Sequence, residues 1–120
     1  FEANNFYPDF IMWIIHEGKQ YVNFIDPKGL RQIRGFNSSK IAFHTLLKEK
    51  IQKKLNTPDV ELNSFILSST PLHELDFWQG GQTYDDFEKH NVFFLDRGAS
   101  EYLPKLIEKA ITVNGENNGN

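Results

Sequence analysis

The chain has 120 residues and a formal net charge of −3, which is the size of one domain and argues against a generally basic nucleic-acid binder. Hydrophobic residues make up 39% of it, enough for an ordinary core, and no apolar run approaches the roughly 18 residues of a membrane span. The absence of cysteine excludes a disulfide framework and a thiolate metal site, and together with the lack of a signal peptide it favours a cytoplasmic protein.

Two apolar runs, residues 10–15 (FIMWII) and 21–25 (YVNFI), are separated by the short polar break HEGK. Both runs are rich in the β-branched and aromatic residues that favour strands, and the break contains Gly18, so the sequence predicts a β-hairpin. The first run is apolar on both faces, which is typical of a central strand covered on both sides. Pro27 lacks the N–H that a ladder needs, and we expect the second strand to end or lose pairing there.

The polar break also predicts how the two strands pair. Pairing Ile15 with Gln20 and following both strands away from the break places Asp9 opposite Asp26. Opposed residues of an antiparallel pair point to the same face, with Cβ atoms about 4.5–5.5 Å apart. Lys28 follows Asp26 by two residues and therefore shares that face. Two carboxylates and an ammonium group at one end of the hairpin suit a divalent metal ion and an activated water.

These residues carry a family resemblance. Pro8-Asp9 at the start of the first strand, and Asp26-Pro27-Lys28 at the end of the second, resemble the motif of the PD-(D/E)xK nuclease superfamily. The longer sequence segments around these residues, YPDFIMWI followed by FIDPKGL, are similar to the nuclease end of the helicase-nuclease subunits of type III restriction enzymes. The resemblance covers roughly residues 7–55.

The resemblance implies a restriction-endonuclease-like α/β fold, with a mixed β-sheet flanked by helices, and a magnesium-dependent endonuclease that hydrolyses DNA. It implies that Asp9, Asp26 and the backbone carbonyl of Pro27 hold Mg²⁺ or Mn²⁺, and that Lys28 orients the nucleophile and stabilises the transition state. The implied partners are DNA, an N-terminal helicase or ATPase portion of the same polypeptide, and a possible methyltransferase subunit. Because the chain begins at Phe1 rather than Met, we expect it to be part of such a longer polypeptide.

A helix is predicted over about residues 39–55, because apolar residues recur at helical spacing from Ile41 onward. Lys40 at its start, with Arg31 and Arg34 in the loop before it, are candidate contacts to nucleic-acid phosphates. Residues 1–54 hold nine Lys and Arg against five acids, whereas residues 55–120 hold four against eleven. Positive charge therefore clusters in sequence after the proposed metal site, although the lysines at positions 48–54 fit a solvated helix face equally well.

The rest of the chain predicts two more strands, at residues 60–69 and 91–96, and a helix at about 101–111. Pro104 is tolerated in that helix only if it lies in the first turn. Residues 72–86 are irregular and receive no element. Together these elements predict a mixed sheet with helices on its faces. We expect residues 1–112 to form the nuclease-like domain and the polar residues 113–120 to be disordered.

Two other interpretations remain open. One is a catalytically weak DNA-binding or assembly module with the nuclease fold, because members of the superfamily often add an acid from a preceding helix. Glu2 is too close to Asp9 to lie on a full helix of its own, so that acid is expected to be missing or upstream. The other is a plain structural α/β domain whose acids are surface residues.

Histidines and tryptophans offer weaker signals. The four histidines have no partners at metal-ligand spacing, and His44, on the apolar stripe of the predicted helix, is expected to be half-buried and satisfied. Trp13 and Trp78 are expected in the core rather than as platforms for base stacking.

Overall fold

The computed structural model describes residues 9–31, 35–36, 39–55, 57–75 and 83–112. Over these ranges the chain is a mixed α/β fold, a four-stranded mixed sheet flanked by helices, as the sequence predicted. Residues 1–8 with Glu2, the segment that contains Trp78, and the tail 113–120 lie outside the described residues. None of the helices in the described ranges combines the length and the apolar content that crossing a bilayer requires.

The strands are β1 (Phe10–His16), β2 (Lys19–Lys28), β3 (Val60–Ser68) and β4 (Val92–Phe94). The helices are α1 (Ser39–Leu46), α2 (Lys53–Leu55), α3 (Tyr84–Glu88) and α4 (Ala99–Thr112), and the π-helical segment Leu47–Gln52 joins α1 to α2. Short 3₁₀ turns, Leu72–Glu74 and Leu95–Arg97, follow β3 and β4. The helix predicted over residues 39–55 is thus confirmed as one helical stretch with a widened middle.

The strands lie in the order β1-β2-β3-β4, with β1 antiparallel to β2 and both other pairs parallel. The hairpin turn consists of Glu17 and Gly18, whose φ angles of 53° and 81° match the two positive values of a type I′ turn. The predicted hairpin register is confirmed at every pair from Phe10↔Ile25 to His16↔Lys19.

β1 is the edge strand of this sheet, and the expectation that it lies at the centre is wrong. Ile11, Trp13 and Ile15 are 56%, 60% and 74% exposed. Trp13, expected in the core, instead donates its indole N–H to Oε1 of Gln20 at 2.8 Å. The apolar composition of a strand does not reveal whether a second layer covers it, and on this face none of the described elements does.

β2 continues through Pro27 to Lys28, where the sequence predicted an end. The Gln20 N–H donates to the Asp59 carbonyl at 2.8 Å, and at the other end of β2 the Lys28 carbonyl accepts from Ser69 at 2.9 Å. Even-numbered residues of β2 therefore direct their backbone groups toward β3. Pro27 is odd-numbered, so its backbone groups point away from β3, toward the side of β1. β1 ends before this position, and the missing N–H of Pro27 therefore removes no ladder bond.

Side chains on both faces of the sheet form the core. The cluster on the α4 face contains Ile25, Phe65, Leu67, Phe93, Leu106 and Ala110. The clusters on the α1 face contain Leu30, Ile41, Ile66, Leu72, Leu75, Phe87, Val92 and Phe94, and next to them Val22, Phe43, Leu47 and Leu62. Each of the larger side chains contributes about 1.5–3 kcal/mol by leaving water.

Side chains close the part of the β3 edge that β4 is too short to reach. The Gln52 side-chain amide donates to the Val60 carbonyl at 2.8 Å and accepts from the Leu62 N–H at 2.6 Å, which reproduces the bonds of a neighbouring strand. Asn91 donates to the Ser64 carbonyl at 2.9 Å. This edge is consequently covered, in contrast to the edge at β1.

A buried amide pair joins the centre of the sheet to α4. Asn63 donates to Oδ1 of Asn23 at 2.9 Å and to the Ala110 carbonyl at 3.1 Å. Asn23 donates in turn to the Met12 carbonyl at 2.9 Å. These bonds compensate much of the cost of burying two amides in an otherwise apolar layer.

α4 begins two residues earlier than predicted, so Pro104 lies in its second turn and not in the first. Pro104 and Ser100 are both exposed. The Ser100 carbonyl, which the missing Pro104 N–H would otherwise satisfy, therefore faces water, and the proline is tolerated.

Candidate functional site

Asp26 lies near the carboxyl end of β2, between β1 and β3 in the sheet. Its side chain is 5% exposed, and its Oδ2 lies 2.8 Å from Nζ of Lys28. The two residues therefore share one face, as their spacing predicted. The carboxyl ends of parallel strands are the edge at which open α/β sheets usually bind ligands.

One oxygen of this buried carboxylate has no hydrogen bond. The Lys28 ammonium is close enough to Asp26 Oδ2 for an ion pair, but its direction does not make a hydrogen bond, and no other described residue supplies one. A carboxylate leaves water at a large free-energy cost unless cations and hydrogen bonds replace the water. Among the described residues, the Lys28 ammonium is therefore the group that compensates the charge on Asp26 Oδ2.

Two hydrogen bonds hold the end of β2 against the exit of β3. The Ser69 N–H donates to the Lys28 carbonyl at 2.9 Å, and the Leu30 N–H donates to Oγ1 of Thr70 at 3.1 Å. Ser68 Oγ donates to the Thr70 carbonyl at 2.7 Å, which closes a turn. Sequence analysis missed Ser68 and Thr70, and the only signal was a run of three hydroxyl residues directly after an apolar strand.

Asp9 is exposed and immediately precedes β1. The hairpin ladder ends at Phe10↔Ile25, so Asp9 and Asp26 occupy the next position of the same register. The close approach of these two carboxylates stays a prediction, because Asp9 lies just outside the ladder. The backbone alternation directs the Pro27 carbonyl away from β3, past the end of β1, and its role as a metal ligand stays a prediction.

Arg31 forms an ion pair with the Glu74 carboxylate and also donates to the Glu74 carbonyl at 3.3 Å. The pair ties the loop after β2 to the 3₁₀ turn after β3. The Arg31 side chain nevertheless remains exposed, so it keeps the access to solvent that a contact with phosphate needs.

Lys40 lies in the first turn of α1, and its side chain and the whole of Arg34 lie outside what the structure describes. The next residue, Ile41, belongs to the same core cluster as Ile66, which is the register partner of Asp26. The start of α1 thus packs into the same core cluster as the strand residue beside Asp26, and a contact of Lys40 with a phosphate stays a prediction.

The later lysines of the helical stretch lie toward the other end of the sheet. Lys48 forms an ion pair with Glu61, whose other oxygen lies 3.4 Å from Nζ of Lys19. Glu61 precedes Ile66 by five residues, which corresponds to about 16 Å of strand. Burial lowers the pKa of Lys48, and the residue acts as a structural partner of Glu61 rather than as a phosphate contact at the site.

His44 is half-buried, as expected, and its Nδ1 accepts a hydrogen bond from the Ser64 N–H at 3.4 Å. Burial, with a smaller contribution from the Lys48 ammonium, lowers the pKa of His44 to about 4. The imidazole is therefore neutral at pH 7 and serves as an acceptor for the β3 edge.

A cavity of about 450 Å³ opens between α3 and α4, on the face of the sheet opposite Asp26. Its lining includes three lysines and three acids, and it contains the Lys105–Glu88 ion pair at 3.8 Å. Burial lowers the pKa of Lys109 in this cavity to about 8. Because its charges balance, the cavity does not have the positive surface that a nucleic-acid backbone needs.

The donors at the end of β2 fit a hard divalent cation. Mg²⁺ usually takes one or two carboxylates and keeps several waters, and Asp26, Asp9 and the Pro27 carbonyl are oxygen donors of this kind. Among the described residues, no three or more His, Asp or Glu side chains are grouped so that they could hold a metal ion. The binding of Mg²⁺ or Mn²⁺ by Asp9, Asp26 and the Pro27 carbonyl therefore stays a prediction.

Comparisons of the chain with protein-family models, with curated proteins and with solved structures returned no match.

Proposed function

We propose that the chain is a metal-dependent endonuclease domain that hydrolyses DNA phosphodiester bonds, within a type III restriction-like helicase-nuclease. The observation that carries the proposal is the buried Asp26 carboxylate, whose Oδ2 lies 2.8 Å from the Lys28 ammonium and has no other hydrogen-bond partner among the described residues. Its support from sequence is the order Pro-Asp, strand, turn, strand, Asp-Pro-Lys, in the hairpin register that Asp9 and Asp26 require.

Asp26 and Asp9 hold Mg²⁺ in this proposal, with the Pro27 carbonyl as a third oxygen donor. A divalent ion held by these donors would supply a Lewis acid that polarises a phosphate and lowers the pKa of a coordinated water. Lys28 turns its ammonium group toward the phosphate, where it orients the attacking water and stabilises the charge that develops in the transition state. Arg31, Arg34 and Lys40 contact flanking phosphates and position the strand.

The first test is a Mn²⁺ titration of the chain, followed by calorimetry or NMR, for wild type, Asp26→Asn and Glu61→Gln. Glu61 is the matched control, because it is also a buried carboxylate of the same sheet that pairs with lysine, but it lies toward the other end. We expect wild type and Glu61→Gln to bind Mn²⁺ with similar affinity. Asp26→Asn is expected to bind Mn²⁺ at least ten-fold more weakly than wild type. Equal Mn²⁺ affinity of all three proteins would show that Asp26 is not a metal ligand.

The second test is cleavage of plasmid DNA in Mg²⁺ by the chain in the presence of an ATP-driven parent complex that lacks its own nuclease end. Lys28→Ala is expected to keep Mn²⁺ affinity within about three-fold and to lose cleavage, since Lys28 acts on the phosphate and is not a metal ligand. Cleavage at the wild-type rate by Lys28→Ala would contradict the role given to this lysine.

The second candidate function is a catalytically weak DNA-binding or assembly module. It is favoured by the absence, within the described residues, of a third acid grouped with Asp26. It predicts DNA binding that Asp26→Asn leaves unchanged and no cleavage by wild type under any metal condition.

A further inference from the structure

Among the residues that the structure describes, no element covers the outer edge of β1, and the sequence of β1 lacks the residues that usually block an edge. β1 has the sequence FIMWIIH, without Lys, Asp, Glu, Pro or Gly. Natural sheets protect exposed edges with charges, prolines, bulges or a covering element. The opposite part of this sheet follows that rule, because Gln52 and Asn91 side chains close the edge of β3. β1 is thus a place in the described structure where a further strand can add.

The hairpin geometry identifies which backbone groups face this edge. His16 and Lys19 flank the two-residue turn and form a hydrogen-bonded pair. Hydrogen-bonded and non-hydrogen-bonded pairs alternate along an antiparallel ladder. Ile11, Trp13 and Ile15 consequently direct their N–H and C=O groups away from β2.

The side chains of the same three residues are exposed on one face of the strand. Ile11, Trp13 and Ile15 therefore offer both backbone hydrogen-bonding groups and apolar surface to a neighbouring strand. The arrangement is symmetric about Trp13, with an isoleucine two residues before it and another two residues after it. A strand with this symmetry is complementary to an antiparallel copy of itself.

We propose that β1 pairs antiparallel with β1 of a second copy of this chain, about a twofold axis at Trp13. Trp13 then lies opposite its counterpart, and Ile11 lies opposite Ile15 of the other copy, with about six hydrogen bonds between the two backbones. No like charges meet along residues 10–15. The two sheets join into one continuous sheet, and pairing through β1 stops at two copies because it is isologous and uses the β1 edge of each copy.

The size of the contact indicates a dimer of modest affinity. Seven paired residues extend over about 24 Å, and a strip of that length covers on the order of 500 Å² per copy. This is below the roughly 800 Å² per partner of a standard stable interface, so we expect a weak dimer that forms only at high protein concentration.

The first experiment is sedimentation equilibrium of the chain from about 5 to 500 μM, with Trp13→Lys and Leu103→Lys beside wild type. Trp13→Lys places two ammonium groups against each other at the axis, and we expect it to weaken association at least ten-fold. Leu103 is an exposed leucine on α4, and its replacement is expected to leave the dimer unchanged. A wild type that stays monomeric up to 500 μM, or a dimer that Trp13→Lys does not weaken, overturns the proposal.

The second experiment tests the register and does not depend on the lysine variant. The chain has no cysteine, so single cysteines report on one position each. Opposed residues of a hydrogen-bonded pair have Cα atoms about 5.5 Å apart, within the range of a disulfide. Trp13→Cys is expected to form a covalent dimer on mild oxidation. Met12→Cys, whose side chain lies on the opposite face, is expected to give at least ten-fold less covalent dimer. Equal cross-linking of both variants, or hydrogen exchange of the Ile11 and Ile15 amides that does not slow with concentration, excludes this register.

Discussion

At the scale of single residues, the ion pair between the buried Asp26 and the half-buried Lys28 is expected to contribute to the stability of the end of β2. Lys28→Met removes the only described cation beside the Asp26 carboxylate and leaves that charge without a partner. We expect a loss of about 3 kcal/mol in the free energy of unfolding, measured by urea denaturation at pH 7.

The control is the double variant Asp26→Asn with Lys28→Met, which removes both charges and should recover most of that loss. A double variant as unstable as Lys28→Met alone would show that Lys28 contributes through packing of its side-chain carbons and not through charge.

The asparagine pair shows how far sequence reasoning reaches at this scale. Asn23 is visible in the sequence as a polar interruption of an apolar strand, but its partner Asn63 follows 40 residues later. No local pattern connects the two, because the parallel pairing of β2 with β3 brings them together. The Asp26–Lys28 pair was predictable for the opposite reason, since the two residues are neighbours on one face of one strand.

At the scale of elements, the helical stretch provides hydrogen bonds to the edge of β3 that a neighbouring strand would otherwise make. Gln52→Ala removes the partners of the Val60 carbonyl and the Leu62 N–H. We expect it to lower the free energy of unfolding by about 2 kcal/mol and to accelerate hydrogen exchange of the Leu62 amide. The neighbouring Lys53→Ala, on an exposed helical position, should change neither quantity.

His44 makes the same helix sensitive to acid. Its folded-state pKa of about 4 lies below the ordinary 6.5, so the unfolded chain binds this proton more readily. The contribution of His44 is therefore fully present above pH 6.5 and is lost as the pH falls toward 4, with an upper limit of about 3 kcal/mol.

His44→Gln keeps an acceptor for the Ser64 N–H but does not titrate. Urea unfolding at pH 7.0, 5.5 and 4.5 should show a smaller loss of stability for this variant than for wild type. Parallel pH profiles of the two proteins would mean that other groups cause the acid sensitivity.

The sequence predicted correctly the elements that local residue patterns determine. It failed for features that depend on which strands lie next to each other in the sheet. The two-residue turn determines the hairpin register, and the spacing of apolar residues reveals the helical stretch. The position of β1 at an edge, the exposure of Trp13 and the continuation of β2 through Pro27 all depend on which strands lie beside them. Residues 72–86, left without an element, contain a 3₁₀ turn and most of a short helix that starts with a Thr83–Asp86 capping box.

At the scale of the whole molecule, positive charge is divided between the two ends of the sheet. The proposed function assigns contacts with flanking phosphates to Arg31, Arg34 and Lys40, so we expect these three contacts to give a slope of log Kobs against log salt for DNA of about −3. Arg31→Gln should make that slope less steep by about one. Lys54→Gln, on the exposed end of the helical stretch, should leave it unchanged in the same fluorescence titrations.

The hairpin and the candidate site also differ in how much of the chain must be synthesised before each of them can form. The turn of the hairpin closes over two residues, whereas the bond from Leu30 to Thr70 spans 40. Hairpins form within about 1–10 μs, and contacts between distant residues come later because long loops must close first. During synthesis, β1 and β2 are therefore complete while Asp26 is still in water, and the arrival of β3 is the event that buries its carboxylate.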